Sequence, residues 1–467
     1  MGLRPYQSAD LDLIREAYRH GFQRPLLVQP TGAGKGYLIA HIVKEASARG
    51  FRIQFWVNRR TLVHDMSHRL DAIGVDHGVI MASTARKKPW LPVQVASIDT
   101  LRNRAVPPPA DLICLDEAHF CVSDGWRQMI VRYPNAKFLL TTATPVRLDG
   151  RGLGEIADVM ITGPSVQELI NQGYLVPSEV YSFQPPDLSG VEKTAGDYNQ
   201  KQLAAATDKG VLVGDAVKTW LRLASDRKSV SFCVDKKHAA HVAEEYRKAG
   251  VEAIEVTDET SDEDRDKIWK DFDTGNLRMV TSVGVISYGW DHPVCSCVSL
   301  LRPTQSLQLH LQQIGRGCRP APNKTALLVL DHAGNHSRHG FYESPREWSL
   351  EGGLIKKPTD KVTPVATCKV CYFTFPSGPS ACPACGAVIP KQHRHVQTVE
   401  GELQRLERKQ EAIEDWRARV SEEQKMRRYL QLRREAREKA YKPTYAAARY
   451  RAEFKEWPAW NWNSIAI

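Results

Sequence analysis

From residue 26 onward the chain alternates short apolar runs with amphipathic segments, and each run ends in a loop of polar residues. This pattern predicts an α/β fold in which a parallel sheet is covered by helices. The first cycle predicts strands at Leu26–Val28, Ile53–Val57, Val93–Ala96, Leu112–Leu115 and Phe138–Leu140. A second cycle begins near residue 175, with strands at Val230–Val234, Ala253–Val256, Met279–Ser282, Cys297–Leu301 and Ala326–Leu330. Ligands of such sheets sit beyond the carboxyl ends of the strands, where the polar loops lie.

A length of 467 residues exceeds one ordinary core and calls for two or three domains. The two cycles give lobes over residues 1–165 and 166–345, joined through Gly163-Pro164-Ser165, with Ser165 capping a short helix that ends at Gly173. Residues 184–200, with Pro185, Pro186 and Gly190, read as a surface insertion. Beyond about residue 340 the character changes: a connector rich in Pro, Gly and charge leads to a cysteine cluster, together residues 346–395. The last segment, 396–467, opens with a charged helix from about 398 to 441, acidic in its first half and carrying Arg427, Arg428, Arg433, Arg434, Arg437 and Lys439 in its second. That polarity complements a helix dipole.

The formal net charge of +10 suits a polyanionic partner but, spread over this length, equally suits a solvated basic surface. No apolar run approaches a membrane span, and the N-terminus lacks the succession of a signal peptide, so a soluble, cytoplasmic chain is expected. Six of the ten cysteines are scattered through apolar stretches and read as reduced core residues.

Thr31-Gly32-Ala33-Gly34-Lys35 follows a predicted buried strand and precedes a helical pattern, as a phosphate-binding loop does: the backbone N–H groups converge on phosphate while the lysine reaches the terminal groups. Two positions depart from the usual form, Gln29 at the start and Gly36 where a Ser or Thr hydroxyl ordinarily meets Mg2+. On this reading Gly36→Thr lowers the Mg2+ needed for half-maximal ATPase. Asp116 and Glu117 end the apolar run Leu112–Leu115, where one carboxylate can hold Mg2+ and its neighbour can orient a water.

Seven stretches in order, Arg4-Pro5-Tyr6-Gln7, Thr31–Lys35, Asp116-Glu117-Ala118-His119, Thr142-Ala143-Thr144, Ser231–Val234, Gly289-Trp290-Asp291 and Gln312–Arg319, resemble the motifs of the superfamily 2 helicases, the DEAD/DEAH-box group. The resemblance covers about the first 340 residues, and within the group RadD-like and phage-encoded DNA helicases look most similar. It implies two RecA-like lobes with ATP between them. Arg4 and Gln7 would read adenine; Thr31, Gly32, Ala33, Gly34, Lys35 and Gly36 would hold the triphosphate; Gly289 and Asp291 would lie near the ribose. Asp116 would be the Mg2+ ligand, Glu117 the catalytic base, and His119, Thr142 and Thr144 the coupling elements. Gln312, Arg316 and Arg319 match the motif that delivers cations to the γ-phosphate, with Arg319 as the finger. Tyr288 stands where relatives often carry Glu or Thr. Asn58, Arg59, Arg60, Ser97, Thr100, Ser282 and Gly284 correspond to loops that touch nucleic-acid phosphates. The implied activity is an ATP-dependent DNA helicase or translocase in replication, recombination or repair. Alternatives are an RNA helicase, a nucleic-acid-binding scaffold without turnover, and the motor subunit of a restriction system.

Cys368-x2-Cys371 and Cys382-x2-Cys385, ten residues apart, have the spacing of a structural Zn2+ site, with a redox dithiol or paired disulfides as the alternative. The tail interleaves Tyr441, Tyr445, Tyr450, Phe454, Trp457, Trp460 and Trp462 with Lys442, Arg449, Arg451 and Lys455. Such a pattern suits stacking on unpaired bases or packing within the protein.

Overall fold

The apolar runs become buried central strands: every residue of Pro25–Val28, Ile53–Val57 and Val93–Ser97 is buried. The computed structural model describes residues 2–58, 60–82, 84–147, 150–183, 185–194, 196–208, 210–284, 292–352, 365–389, 420–438, 441, 444–454, 456–459 and 461–462. In chain order the strands of the first lobe are β1 (Pro25–Val28), β2 (Ile53–Val57), β3 (Gly78–Ile80), β4 (Val93–Ser97), β5 (Leu112–Leu115), β6 (Lys137–Thr142) and β7 (Val159–Thr162). They form a seven-stranded sheet in the order β3-β4-β2-β5-β6-β1-β7. All its pairings are parallel, with Leu26 opposite Leu140 and Phe55 opposite Cys114.

The second lobe contains β8 (Ser178–Ser182), a small hairpin β9 (Lys193–Thr194) and β10 (Asp197–Tyr198), then β11 (Ser229–Phe232), β12 (Ala253–Val256), β13 (Met279–Ser282), β14 (Cys297–Leu300) and β15 (Leu327–Asp331). Two further strands, β16 (Val365–Thr367) and β17 (Phe373–Pro376), belong to the cysteine-bearing segment. The sheet runs β12-β13-β11-β14-β15-β8-β17-β16, parallel as far as β8. There β17 pairs antiparallel to β8, with Phe373 opposite Tyr181 and Thr374 opposite Val180. The cysteine segment therefore continues the sheet of the second lobe instead of standing beside it.

Local details follow from side-chain chemistry. β11 stops at Phe232, two residues before the predicted end, because Asp235 caps the helix Lys236–Lys248, its carboxylate accepting from His238 N at 2.8 Å. Ser165 caps Val166–Asn171 through a capping box with Glu168, and Gly173 takes a φ of 74° just beyond. The 184–200 insertion is clasped rather than loose: the Asp197 carboxylate accepts from Thr304 Oγ1 at 2.8 Å and Gln305 N at 2.7 Å, immediately before the helix Leu307–Gly317.

The chain divides into two compact units, Met1–Pro390 and Lys391–Ile467. In the first, one apolar cluster joins Tyr6 and Ala33 of the first lobe to Leu175, Leu311, Ile314 and Tyr342 of the second, so the lobes share a packed seam. In the second, the helices Glu422–Glu438 and Tyr445–Phe454 bury Tyr429, Leu432, Ala446, Tyr450, Phe454 and Trp462 against one another. Arg428–Glu453 and Lys425–Glu456 ion pairs flank that core. Tyr450, Phe454 and Trp462 thus serve packing, whereas Tyr441 and Trp457 are exposed. Residues 398–419 of the expected long helix, with Lys439, Lys442, Lys455 and Trp460, lie outside the described residues.

Candidate active site

The loop after β1 is tied to β6 by Gln29 N donating to Thr142 O at 3.0 Å. Gly32 and Gly34 adopt φ of 89° and 87°, conformations that cost side-chain-bearing residues dearly, and Gly34 caps the helix Lys35–Ala48. The N-terminal helix Pro5–Arg19 braces this loop from outside. Tyr6 Oη donates to Ala33 O at 2.5 Å, and Gln7 Nε2 reaches Ala33 O at 3.4 Å and Gly34 O at 3.3 Å. Gln7 Oε1 accepts from Arg4 N at 3.0 Å, so both ends of its amide are engaged by the loop and its own helix start.

Lys35 is buried, its Nζ donating to Gln29 O at 3.1 Å and Pro30 O at 3.3 Å. Burial lowers its pKa; Glu117 and Asp116 oppose that shift, and Arg316 and Arg319 add to it. Asp116 Oδ1 accepts from Thr141 Oγ1 at 2.7 Å and from Glu117 N at 2.9 Å. Burial and then the neighbouring Glu117 raise the Asp116 pKa, opposed by Lys35 and by the hydrogen bonds from Thr141 and Glu117 N. Glu117 takes a left-handed φ of 51°, and its Oε2 is buried without a hydrogen bond among the described residues.

His119 links the lobes. Burial pushes its pKa down to about 3, so the ring is neutral. Gln308 Nε2, on the second lobe's helix Leu307–Gly317, meets His119 Nε2. An amide nitrogen only donates, which leaves the proton on His119 Nδ1, 2.8 Å from Thr142 Oγ1. Thr142 Oγ1 in turn donates to Thr144 O at 3.1 Å.

The same helix carries Gln312 and Arg316 to the phosphate loop, and Arg319 follows in the bend just past its Cys318 cap, not on the helix as the i, i+3 spacing suggests. A Cβ on Gly32 would stand 3.1 Å from Gly315 O and 3.6 Å from Arg319 Cγ. Tyr342 Oη donates to Thr31 O at 2.6 Å from the second lobe. The Gln312 amide is buried with neither Nε2 nor Oε1 hydrogen-bonded among the described residues. Arg4, Gln7, Thr31, Gly32, Gly34, Lys35, Gly36, Asp116, Glu117, Arg316 and Arg319 line one cavity of about 490 Å³, a volume suited to a nucleotide. Asp116 and Glu117 bring carboxylate oxygens into this cavity, and Gly36 brings no side-chain oxygen.

Of the remaining sites named from sequence, Asn58 follows β2 and Ser97 ends the adjacent β4, with Thr100 in the turn of helix beyond. Ser282 ends β13, and Gly284 lines a surface depression with Gln200, Lys236 and Lys237. Arg60 is exposed at the start of the helix Arg60–Ala72. Arg59, Tyr288, Gly289 and Asp291 lie outside the described residues. Sequence reasoning missed Gln308, Tyr342 and Tyr174. Gln308 lies one turn before Gln312 on the same face, a spacing that was available as a signal. Tyr174 lines the cavity, its ring 5.2 Å from that of Tyr6 and beneath the Arg4 guanidinium.

The four cysteines converge. Cys368 Sγ and Cys385 Sγ are 3.7 Å apart, Cys371 Sγ and Cys382 Sγ 3.6 Å, and all four sulfurs lie within 4.8 Å of one another. Four thiolates about 2.3 Å from a shared Zn2+ would be spaced about 3.8 Å apart, so the donor set fits that metal. Backbone N–H groups of Cys371 and Val370 hold the Cys368 thiol down to about 6, favouring the thiolate. The other six cysteines are buried and free, as expected for core residues.

Comparison with known proteins agrees with this geometry. Residues 1–147 match the family described as "Type III restriction enzyme, res subunit", and residues 213–321 match "Helicase conserved C-terminal domain". A "51.5 kDa protein" of a Lactococcus phage is 30% identical over 387 residues, 82% of each chain. A Saccharomyces cerevisiae protein named as an ATP-dependent helicase, IRC3, is 27% identical over 357 residues, 72% of this chain and 52% of that one. The chain thus spans about half the length of the yeast relative. The solved structure of the restriction-modification enzyme LlaBIII bound to DNA shares the fold, with a TM-score of 0.54 and 14% identity over 70% of this chain and 27% of that one. Two sheet-based lobes closing on a phosphate loop, the family matches and the phage relative together make this chain a member of the superfamily 2 helicases, ATP-hydrolysing motors that act on nucleic acid.

Proposed function

We propose that the protein is an ATP-dependent DNA helicase or translocase. The observation that carries this reading is the seam itself: Arg316 and Arg319 of one lobe line the same cavity as Lys35, Asp116 and Glu117 of the other. Phosphoryl transfer loads negative charge onto the γ-phosphate oxygens, and guanidiniums brought from the facing lobe stabilise it. Glu117 orients the attacking water and accepts its proton, a role supported by its buried Oε2, which has no hydrogen bond among the described residues. Lys35 and the N–H groups of the glycine loop bind the triphosphate. Asp116 would hold Mg2+, which when bound neutralises charge on the phosphates.

Loss of the γ-phosphate weakens the attraction between the lobes, and the chain from Gln308 through His119 to Thr142 and Thr144 carries that change into the first lobe. Asn58, Arg60, Ser97 and Thr100 on one lobe and Ser282 and Gly284 on the other then grip phosphates in alternation. The four-cysteine ribbon binds Zn2+ in a structural role, all four positions being supplied by protein.

DNA is favoured over RNA because LlaBIII, which shares the fold, was solved on DNA, and because the family match in the first lobe is to a restriction subunit. A panel of ATPase assays over single-stranded, duplex and forked DNA and over RNA tests the reading. Stimulation by DNA, abolished in Lys35→Ala and Glu117→Gln, is the expected result. Stimulation by RNA alone would make it an RNA motor, and equal background rates in all three proteins would make it a scaffold.

A further inference from the structure

Gly36 lies against Arg69 of the helix Arg60–Ala72. A Cβ at position 36 would stand 3.4 Å from Arg69 Nε, 3.6 Å from Cδ and 3.7 Å from Cζ. A methyl group fits at those distances, but a hydroxyl one bond further out has to share space with the guanidinium. The residue that ordinarily brings an oxygen to Mg2+ is therefore absent, and a cation borders the place where it would be.

The electrostatics give that exchange a meaning. Position 36 opens a helix, whose N-terminal N–H groups already present partial positive charge. Arg69 lines the same cavity as Arg4, Lys35, Arg316 and Arg319 and as Asp65, Asp116 and Glu117. Asp65 lies one turn from Arg69 on the same helix, and Asp116 and Glu117 lie by Lys35. Five cations and a helix N-terminus around three acids leave an excess of positive charge that a polyphosphate neutralises. A guanidinium suits this duty because its planar donors engage two phosphate oxygens at once and it stays charged.

We propose that Arg69 is a nucleotide-binding residue that contacts the phosphates directly and takes over part of the anchoring that a Ser or Thr and its metal provide elsewhere. The inference rests on the ATP-site reading above. Its consequence is a separation of binding from hydrolysis: nucleotide is retained without divalent cation, whereas turnover still requires it.

The test is fluorescence anisotropy of a labelled ATP analogue on the full chain, in EDTA and in Mg2+, for the wild type, Arg69→Met, Arg69→Lys, Gly36→Thr and Lys35→Ala. The wild type should bind in EDTA within about tenfold of its Mg2+ affinity. Arg69→Met should lose roughly ten- to hundredfold in EDTA, the range for a charged hydrogen bond, and clearly less in Mg2+. Arg69→Lys should fall between. Gly36→Thr, which crowds the guanidinium without removing it, should also weaken EDTA binding, and this arm remains informative if Arg69→Met fails to fold. Wild-type affinity of Arg69→Met in EDTA, or an equal loss with and without Mg2+, overturns the assignment. Failure of the wild type to bind in Mg2+ any better than Lys35→Ala overturns the ATP-site reading and the inference with it.

Discussion

Gly315 sits where the second lobe presses on the phosphate loop, and replacing it with alanine isolates the energetics of closure. A Cβ there would stand 2.6 Å from Thr31 Cβ, 2.9 Å from Thr31 Cγ2 and 2.9 Å from Tyr342 Oη. Carbon atoms pack at about 3.5–4.0 Å, so the helix must retreat by about 1 Å. A Thr31 methyl can rotate away, but its Cβ is part of the loop and cannot. Overpacking on this scale costs about 1–3 kcal/mol. On the proposed cycle the lobes part without unfolding, so the clash with Thr31 falls on the closed arrangement while the Tyr342 hydroxyl, the far end of a side chain in the same lobe, can shift; the closed population drops roughly 5- to 150-fold. Stimulated ATPase kcat/KM should fall by that factor while the Tm hardly moves. Gly317→Ala makes the complementary control, since its Cβ would meet Leu327 Cδ1 at 2.5 Å inside the second lobe. There the cost falls on folding, and the Tm should drop. Wild-type ATPase in Gly315→Ala, or a Tm loss matching that of Gly317→Ala, would refute the view that position 315 governs closure.

Gln308→Ala removes the second lobe's partner of His119, so stimulation by nucleic acid should fall at least tenfold with basal ATPase less affected; unchanged stimulation counts against the relay. Acid should destabilise the first unit. Burial lowers the pKa of His119 to about 3 and that of His332 to about 4, so between pH 6.5 and these values the unfolded chain binds more protons and stability falls with pH. At pH 5 each of these two accounts for about 2 kcal/mol, read as a shift in urea midpoint; burial lowers His238, His310 and His339 as well, so His119→Asn should remove only its own share of the dependence and leave the rest. Chelation, or Cys385→Ser, should release close to one Zn2+ per chain and lower the Tm of the second lobe, measured by calorimetry with metal analysis; a metal-free wild type of unchanged stability refutes the site. Glu117→Gln should bind nucleotide as well as wild type but lose turnover by two orders of magnitude or more.

The residues whose chemistry is local were readable from the chain. A glycine turn before a lysine, paired acids ending an apolar strand and arginines at i and i+3 are patterns written in short stretches, and the structure brings all of them to one cavity. The strands β3, β7 and β8 escaped because β3 has only three residues, β7 offers only the brief run Val159-Met160-Ile161 at a partly exposed position, and β8 mixes Val180 and Tyr181 with Ser178, Glu179 and Ser182. The contacts that assemble the seam escaped for a different reason. Gln308 and His119 are separated by 189 residues, and Tyr342 and Thr31 by 311, and a lone Gln or Tyr carries no pattern that names a partner so distant. The aromatic tail was ambiguous for a third reason: Tyr450 and Trp462 have the composition of a stacking surface, and only their burial around Tyr429 decides for a core.

The pairing of β17 with β8 bears on how this motor fails as well as how it works. A lone outermost strand would offer its free N–H and C=O groups to any other chain. Here the cysteine ribbon covers it, and the last strand presented, β16, is only three residues long. Stripping the thiolates of their metal, or oxidising them, would uncover β8, and the first symptom would be self-association of damaged copies before any loss of helical content.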